Sequence, residues 1–75
     1  MSGRLPAVTA KDVVAALKRG GFREVHQKGS HLYLWHEEKK LLTGVPMHPG
    51  DLGRGLVKKI IKQSGLSQEA FRSLL

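Results

Sequence analysis

Apolar residues first recur along the chain at Ala10, Val13, Val14 and Leu17, the i, i+3, i+4, i+7 spacing of one helix face. Thr9 stands just ahead of them and Asp12 three residues after it. In that arrangement a hydroxyl and a carboxylate satisfy each other's backbone N–H groups at a helix start. Lys18 and Arg19 suit the negative end of the helix, and Gly20-Gly21 stops it. The helical period then gives way to alternation. A strand is predicted over 22–27, with Phe22, Glu24 and His26 on one face and Arg23, Val25 and Gln27 on the other. Lys28-Gly29 makes a tight turn. A second strand over 30–36 carries the strongest signal, Tyr33 and Trp35 among leucines. Leu32 and Leu34 share one of its faces; His31, Tyr33 and Trp35 share the other. The charged turn Glu37-Glu38-Lys39-Lys40 leads to a third strand over 41–45, which Pro46 limits. Such short connections predict an antiparallel meander.

A loop over 47–50 precedes Asp51, which suits the N-cap of a helix over 52–64. Leu52, Leu56, Val57, Ile60 and Ile61 supply its buried side. Arg54, Lys58 and Lys62 recur at i, i+4 and i+8 as a basic stripe, with Lys59 beside it. Gly65 ends this helix. Ser67 caps a short last one, with Leu66 and Phe71 as a hydrophobic staple. Leu74 and Leu75 are expected to fold back on the core. The expected fold class is α+β, in the order α-β-β-β-α, with a three-stranded antiparallel sheet and a short C-terminal helix. Residues 1–8 read as a flexible lead-in and 9–75 as a single domain. Helices before and after the sheet bury their apolar stripes on one of its faces, which leaves the other open. The expected core is Val13, Val14, Leu17, Leu32, Leu34, Leu56 and Ile60. The same element order belongs to double-stranded-RNA-binding domains.

Composition narrows this picture. A chain of 75 residues makes one domain and buries only about 60% of its unfolded surface. It has no cysteine, which excludes disulfides, iron–sulfur clusters and thiolate zinc sites and agrees with a reducing cytosol. No apolar run suits a signal peptide or approaches the roughly 20 residues of a membrane span, so a cytoplasmic protein without a membrane partner is expected. Charge is more informative. Thirteen Lys and Arg oppose six Asp and Glu for a net +7, with a pI near 10.3. Such a field favours a polyanion: nucleic acid, an acidic membrane surface or an acidic protein.

The candidate chemistry is histidine chemistry. His26, His31, His36 and His48 are the four imidazoles. Paired carboxylates, a Gly-rich phosphate loop and an HExxH run are all missing. Adjacent strand residues face opposite ways, so Ser30 and His31 do not form a nucleophile–base pair. The five-residue spacing of His26, His31 and His36 does not by itself give a shared ligand face, and no nearby acid is forced into a shell, so neither a metal nor another cofactor is expected. His26 and His36 read as solvated strand residues. His48 suits a loop cap or core edge, or a phosphate contact near the N-terminus of the second long helix. His31 stands at the mouth of a strand, on the face expected to be open, where an imidazole can exchange a proton in phosphodiester cleavage. Lys28 is placed to stabilise phosphate charge, and Tyr33 and Trp35 to stack bases. Arg54, Lys58 and Lys62 are placed to follow a phosphate backbone. The residues alone equally allow a surface histidine, aromatics that cover apolar area and a solvated helix face.

One resemblance tips this balance. Gly20-Gly21-Phe22, Lys28-Gly29-Ser30-His31, Val45-Pro46-Met47-His48 and the run Gly55-Leu56-Val57-Lys58-Lys59-Ile60-Ile61-Lys62-Gln63-Ser64-Gly65-Leu66 occur in an order and spacing that resemble the HicA toxin family (YcfA-like proteins) of type II toxin–antitoxin systems. The likeness runs from about Lys11 to Phe71. It implies a double-stranded-RNA-binding-domain-like fold, ribosome-independent cleavage of mRNA, and neutralisation by a HicB-type antitoxin. The family's active-site histidine follows Gly-Ser, a position held here by His31. The chain departs from the family in its 1–8 extension and at Gly53-Arg54-Gly55, whose glycines loosen a helix start. Two other readings keep the same fold and charge: a non-catalytic double-stranded-RNA-binding module, and an interaction domain for an acidic protein.

Overall fold

The computed structural model of the chain describes residues 5–75. Six elements follow one another: α1 (Ala10–Arg19), β1 (Arg23–Lys28), β2 (His31–His36), β3 (Leu41–Pro46), α2 (Arg54–Ser64) and α3 (Gln68–Leu74). The strands form one antiparallel sheet in the order β1-β2-β3. This is the expected α+β, double-stranded-RNA-binding-domain-like architecture, with its C-terminal helix.

Helix α1 starts as its sequence dictates. The Thr9 hydroxyl accepts from the Asp12 N–H at 3.2 Å, and the Asp12 carboxylate accepts from the Thr9 N–H at 2.9 Å. The Thr9 N–H, foremost, and the Thr9 hydroxyl beside it hold the Asp12 carboxyl below its ordinary pKa. Val13, Val14 and Leu17 are buried against Leu32 and Leu34 of β2, Val45 of β3 and Ile60 of α2. Helix α2 lies along β3, and α3 packs on α1 with Phe71 fully buried. The Ser67 hydroxyl caps α3 by accepting from the Ala70 N–H at 3.0 Å.

Five expectations meet a different arrangement. Leu5 and Val8, within the segment read as a flexible lead-in, are buried in the core, and the Val8 carbonyl accepts from the Leu52 N–H at 2.8 Å. Residues 1–4 of that segment lie outside the described residues. The Leu52 hydrogen bond also delays α2. With that N–H engaged and Asp51 bridged to Thr9, the helix begins at Arg54, with Gly53 as an N-cap that offers no side chain. Leu56 is only half-buried, because it lies at the rim of the α2 interface. His36 is not solvated. It shares the Leu32 and Leu34 face, and its ring meets Phe22 edge-on at 5.1 Å while Nδ1 accepts from the Lys39 N–H at 3.1 Å. Gly21, at φ +99°, makes room there, since a Cβ would stand 2.7 Å from His36 Nε2. Finally, Leu75 is exposed while Leu74 packs on the core.

Strand β1 carries the most consequential difference. It runs from Arg23 rather than Phe22 and pairs Arg23 with Trp35, Glu24 with Leu34, His26 with Tyr33, Gln27 with Leu32 and Lys28 with His31. The register shifts between Glu24 and His26, so Val25 is the extra residue of a bulge. Facing residues on paired strands share a sheet face. Glu24 and Gln27 therefore lie on the helix-covered side, and Glu24 pairs there with Lys18. Arg23, His26 and Lys28 lie on the open side. Simple alternation would have put His26 with Glu24.

Candidate functional site

The open face is built by alternation along β2. His31 is exposed and Tyr33 and Trp35 are half-buried, while Leu32, Leu34 and His36 between them are buried. Opposite them on β3 stand Pro46, Gly44 and Leu42. Gly44 matters because a Cβ there would lie 3.0 Å from Tyr33 Cε1. Its absence lets the phenol ring settle across β3 and leaves a cleft where α2 passes the sheet. That cleft, of about 220 Å³, has His31 and Tyr33 on the sheet side and Leu56, Lys59 and Gln63 on the α2 side, over Gly44, Pro46 and Ile60. Thr43, buried beneath, donates to the Gln63 side-chain oxygen at 3.0 Å and so fixes one wall. No lining residue carries a negative charge, and Lys59 brings a positive one.

The residues singled out from the sequence separate into three groups. His31 and Tyr33 meet in the cleft, with ring centroids 6.4 Å apart. Lys28 faces His31 across the β1–β2 ladder. Trp35 is on the same face, farther along the strand; its indole N–H donates to Glu37 at 3.0 Å. Glu37 also accepts from Lys40 at 2.9 Å, and these two bonds, the lysine's foremost, hold its carboxyl below the ordinary range. His48 stands behind the turn, its Nε2 3.5 Å from the Ser30 hydroxyl, and lines a recess with Thr9, Ala10 and Lys11 at the start of α1 rather than of α2. The Met47 N–H donates to the Ser30 carbonyl at 2.6 Å, which ties this loop to the residue before His31.

The basic stripe lies elsewhere. Arg54, Lys58 and Lys62 are exposed on α2, but helical geometry turns them roughly a third of a turn from Leu56, Lys59 and Gln63. Lys59, not the stripe, is the α2 cation beside His31. Its position was legible in principle, since Leu56, Lys59 and Gln63 follow one another at i, i+3 and i+7. His26 is the other addition. The bulge brings it opposite Tyr33, with ring centroids 5.9 Å apart and planes 29° from parallel. No local sequence signal marks that bulge.

Among the described residues, no group of three His, Asp or Glu side chains is placed to hold a metal ion. None of the described helices is long and apolar enough to cross a membrane. A roomier groove of about 460 Å³ lies on the covered side of the sheet, beside the Lys18–Glu24 ion pair, and contains no histidine.

Compared with known families, residues 10–66 match the family model described as HicA toxin of bacterial toxin-antitoxin. No curated protein matches the chain.

Proposed function

The chain belongs to the HicA toxin family of bacterial toxin–antitoxin systems, and from that premise we propose that it is a ribosome-independent endoribonuclease that cleaves mRNA in the cytoplasm. His31 is its catalytic residue, and a HicB-type antitoxin neutralises it. The observation that carries this reading is the setting of His31: an exposed imidazole at the edge of a cleft, with an aromatic ring and a lysine beside it.

Each component has a task in strand scission. The neutral His31 imidazole accepts the proton of a ribose 2′-OH, and the 2′-oxygen attacks the adjacent phosphorus. Negative charge grows on the phosphate oxygens, where Lys59, and Lys28 across the ladder, stabilise it. Tyr33 and Trp35 offer ring faces on which unpaired bases stack. Arg54, Lys58 and Lys62 engage the phosphate backbone away from the reacting bond, and His48 contacts phosphate near the β1–β2 turn. The net charge of +7 suits an antitoxin with an acidic surface and fast, steered association.

Induced expression in a bacterial host tests this reading. The wild-type chain is expected to arrest growth and deplete mRNA, and a co-expressed HicB-type partner to restore growth. His31→Ala is expected to abolish arrest while still binding that partner. Full arrest by His31→Ala favours instead a non-catalytic double-stranded-RNA-binding module, the reading that the element order alone supports.

A further inference from the structure

We infer that His26 is a second catalytic residue, the general acid that protonates the departing 5′-oxygen. The inference rests on the nuclease reading above. It begins with the β1 bulge. Without the register shift at Val25, His26 would share the face of Glu24, turned away from Tyr33 and His31. With it, His26 is exposed on the open face, directly across the ladder from Tyr33. Bulges beside functional sites re-aim a side chain in this way.

The consequence is a pair of imidazoles around one phenol ring. Tyr33 has His26 at 5.9 Å and His31 at 6.4 Å, each ring within 30° of parallel to it. His31 precedes Tyr33 by two residues, so His26 and His31 are diagonal neighbours on the sheet, a relation that places side chains about 7–8 Å apart. In-line displacement at phosphorus is well served by such a pair. The attacking and leaving oxygens lie on opposite sides of the phosphorus, and each proton-transfer group stands about 3 Å from its own oxygen. One imidazole cannot reach both oxygens at once; two diagonal neighbours can.

The step balances. Neutral His31 takes the proton from the 2′-OH as the bond from the 2′-oxygen to phosphorus forms. The bond from phosphorus to the 5′-oxygen breaks, and protonated His26 gives its proton to that oxygen. The products are a 2′,3′-cyclic phosphate and a 5′-hydroxyl. One proton has entered His31 and one has left His26, and water restores both. Neither an oxidant nor a metal enters the balance.

The test uses the full chain and two short RNAs of one sequence. One is ordinary; in the other, sulfur replaces the 5′-bridging oxygen at the cleavage site. A thiolate leaves without being protonated, so only a residue acting as the acid becomes dispensable. His26→Ala is expected to cut the ordinary RNA about 10²–10⁴-fold more slowly than wild type. It is expected to cut the sulfur substrate within a few-fold of the wild-type rate. His31→Ala is expected to be slow on both. His26 is exposed, and an unchanged circular dichroism spectrum checks the fold. Unchanged cleavage of the ordinary RNA by His26→Ala overturns the proposal. So does an equal loss on both substrates, which marks His26 as a support for Tyr33. A wild-type chain that cuts neither substrate overturns the nuclease reading, and this proposal with it. Normal cleavage by His31→Ala removes the assignment of His31 and, with it, the base that this pair requires, so it too overturns the proposal.

Discussion

Strand β2 presents two faces that alternate residue by residue. Leu32, Leu34 and His36 are buried beneath the helices, while His31, Tyr33 and Trp35 look out over β3 and the α2 cleft. The first set is held by close packing, so removing any of its atoms leaves a void. The second set has room around it, since Gly44 offers no side chain and Leu42 is half-exposed beside Trp35. One strand thus separates the two demands on a small domain. Folding is supported by one face, and the other is left free for groups that would be wasted in a core. Changes to the two faces are expected to fail in opposite ways.

The largest effect on folding is expected at Leu34, which is fully buried. Leu34→Ala removes packed methyl groups and leaves a cavity, at a cost of about 2–5 kcal/mol, a large share of the stability of so small a domain. The urea midpoint should fall accordingly. Leu56→Ala, at the half-buried rim, should lower it much less. Equal losses at the two positions would contradict the contrast.

On the open side, Lys59→Gln should slow cleavage by up to about 10²-fold, as expected when one group that stabilises phosphate charge is removed. The urea midpoint should scarcely move. A charge reversal at Arg54, Lys58 or Lys62 should instead weaken RNA binding for all sequences alike. It should also flatten the salt dependence of binding, by about 0.7 in log–log slope for each phosphate no longer neutralised. A larger catalytic defect at Lys58 than at Lys59 would reverse the assignment of helix faces. The smallest effect concerns neither face of the sheet. Thr9→Ala breaks the α1 cap and should cost about 1 kcal/mol in urea unfolding, with cleavage per folded molecule unchanged.

The two faces were also unequally legible in the sequence. The covered face follows from period alone: Val13, Val14 and Leu17 on a capped helix, Leu32 and Leu34 in a strand. Alternation also put His36 with those leucines, although its polarity suggested solvent. Phe22 and the opening at Gly21 explain why an imidazole is accommodated there. On the open face, His31 and Tyr33 were readable by alternation and His31 by its Gly-Ser context. His26 was not readable, because a bulge is chosen by pairing across the sheet and Val25 looks like any strand residue. The start of α2 was misplaced for a similar reason. Asp51 has the chemistry of an N-cap, but Thr9 and Val8, distant in sequence, engage Asp51 and Leu52 first. Lys59 was hidden among neighbouring cations until the position of the cleft showed which face of the helix counts.

The separation of folding from chemistry centres on His31, and one variant followed by two readouts addresses it most directly. Purified wild-type and His31→Ala proteins are compared for single-turnover RNA cleavage and for the urea midpoint of unfolding. An exposed imidazole that transfers a proton should lose about 10²–10⁴-fold in cleavage rate on truncation, with the midpoint and RNA binding unchanged. Cleavage at the wild-type rate by the folded variant, or a loss of rate matched by a loss of stability, would contradict the account.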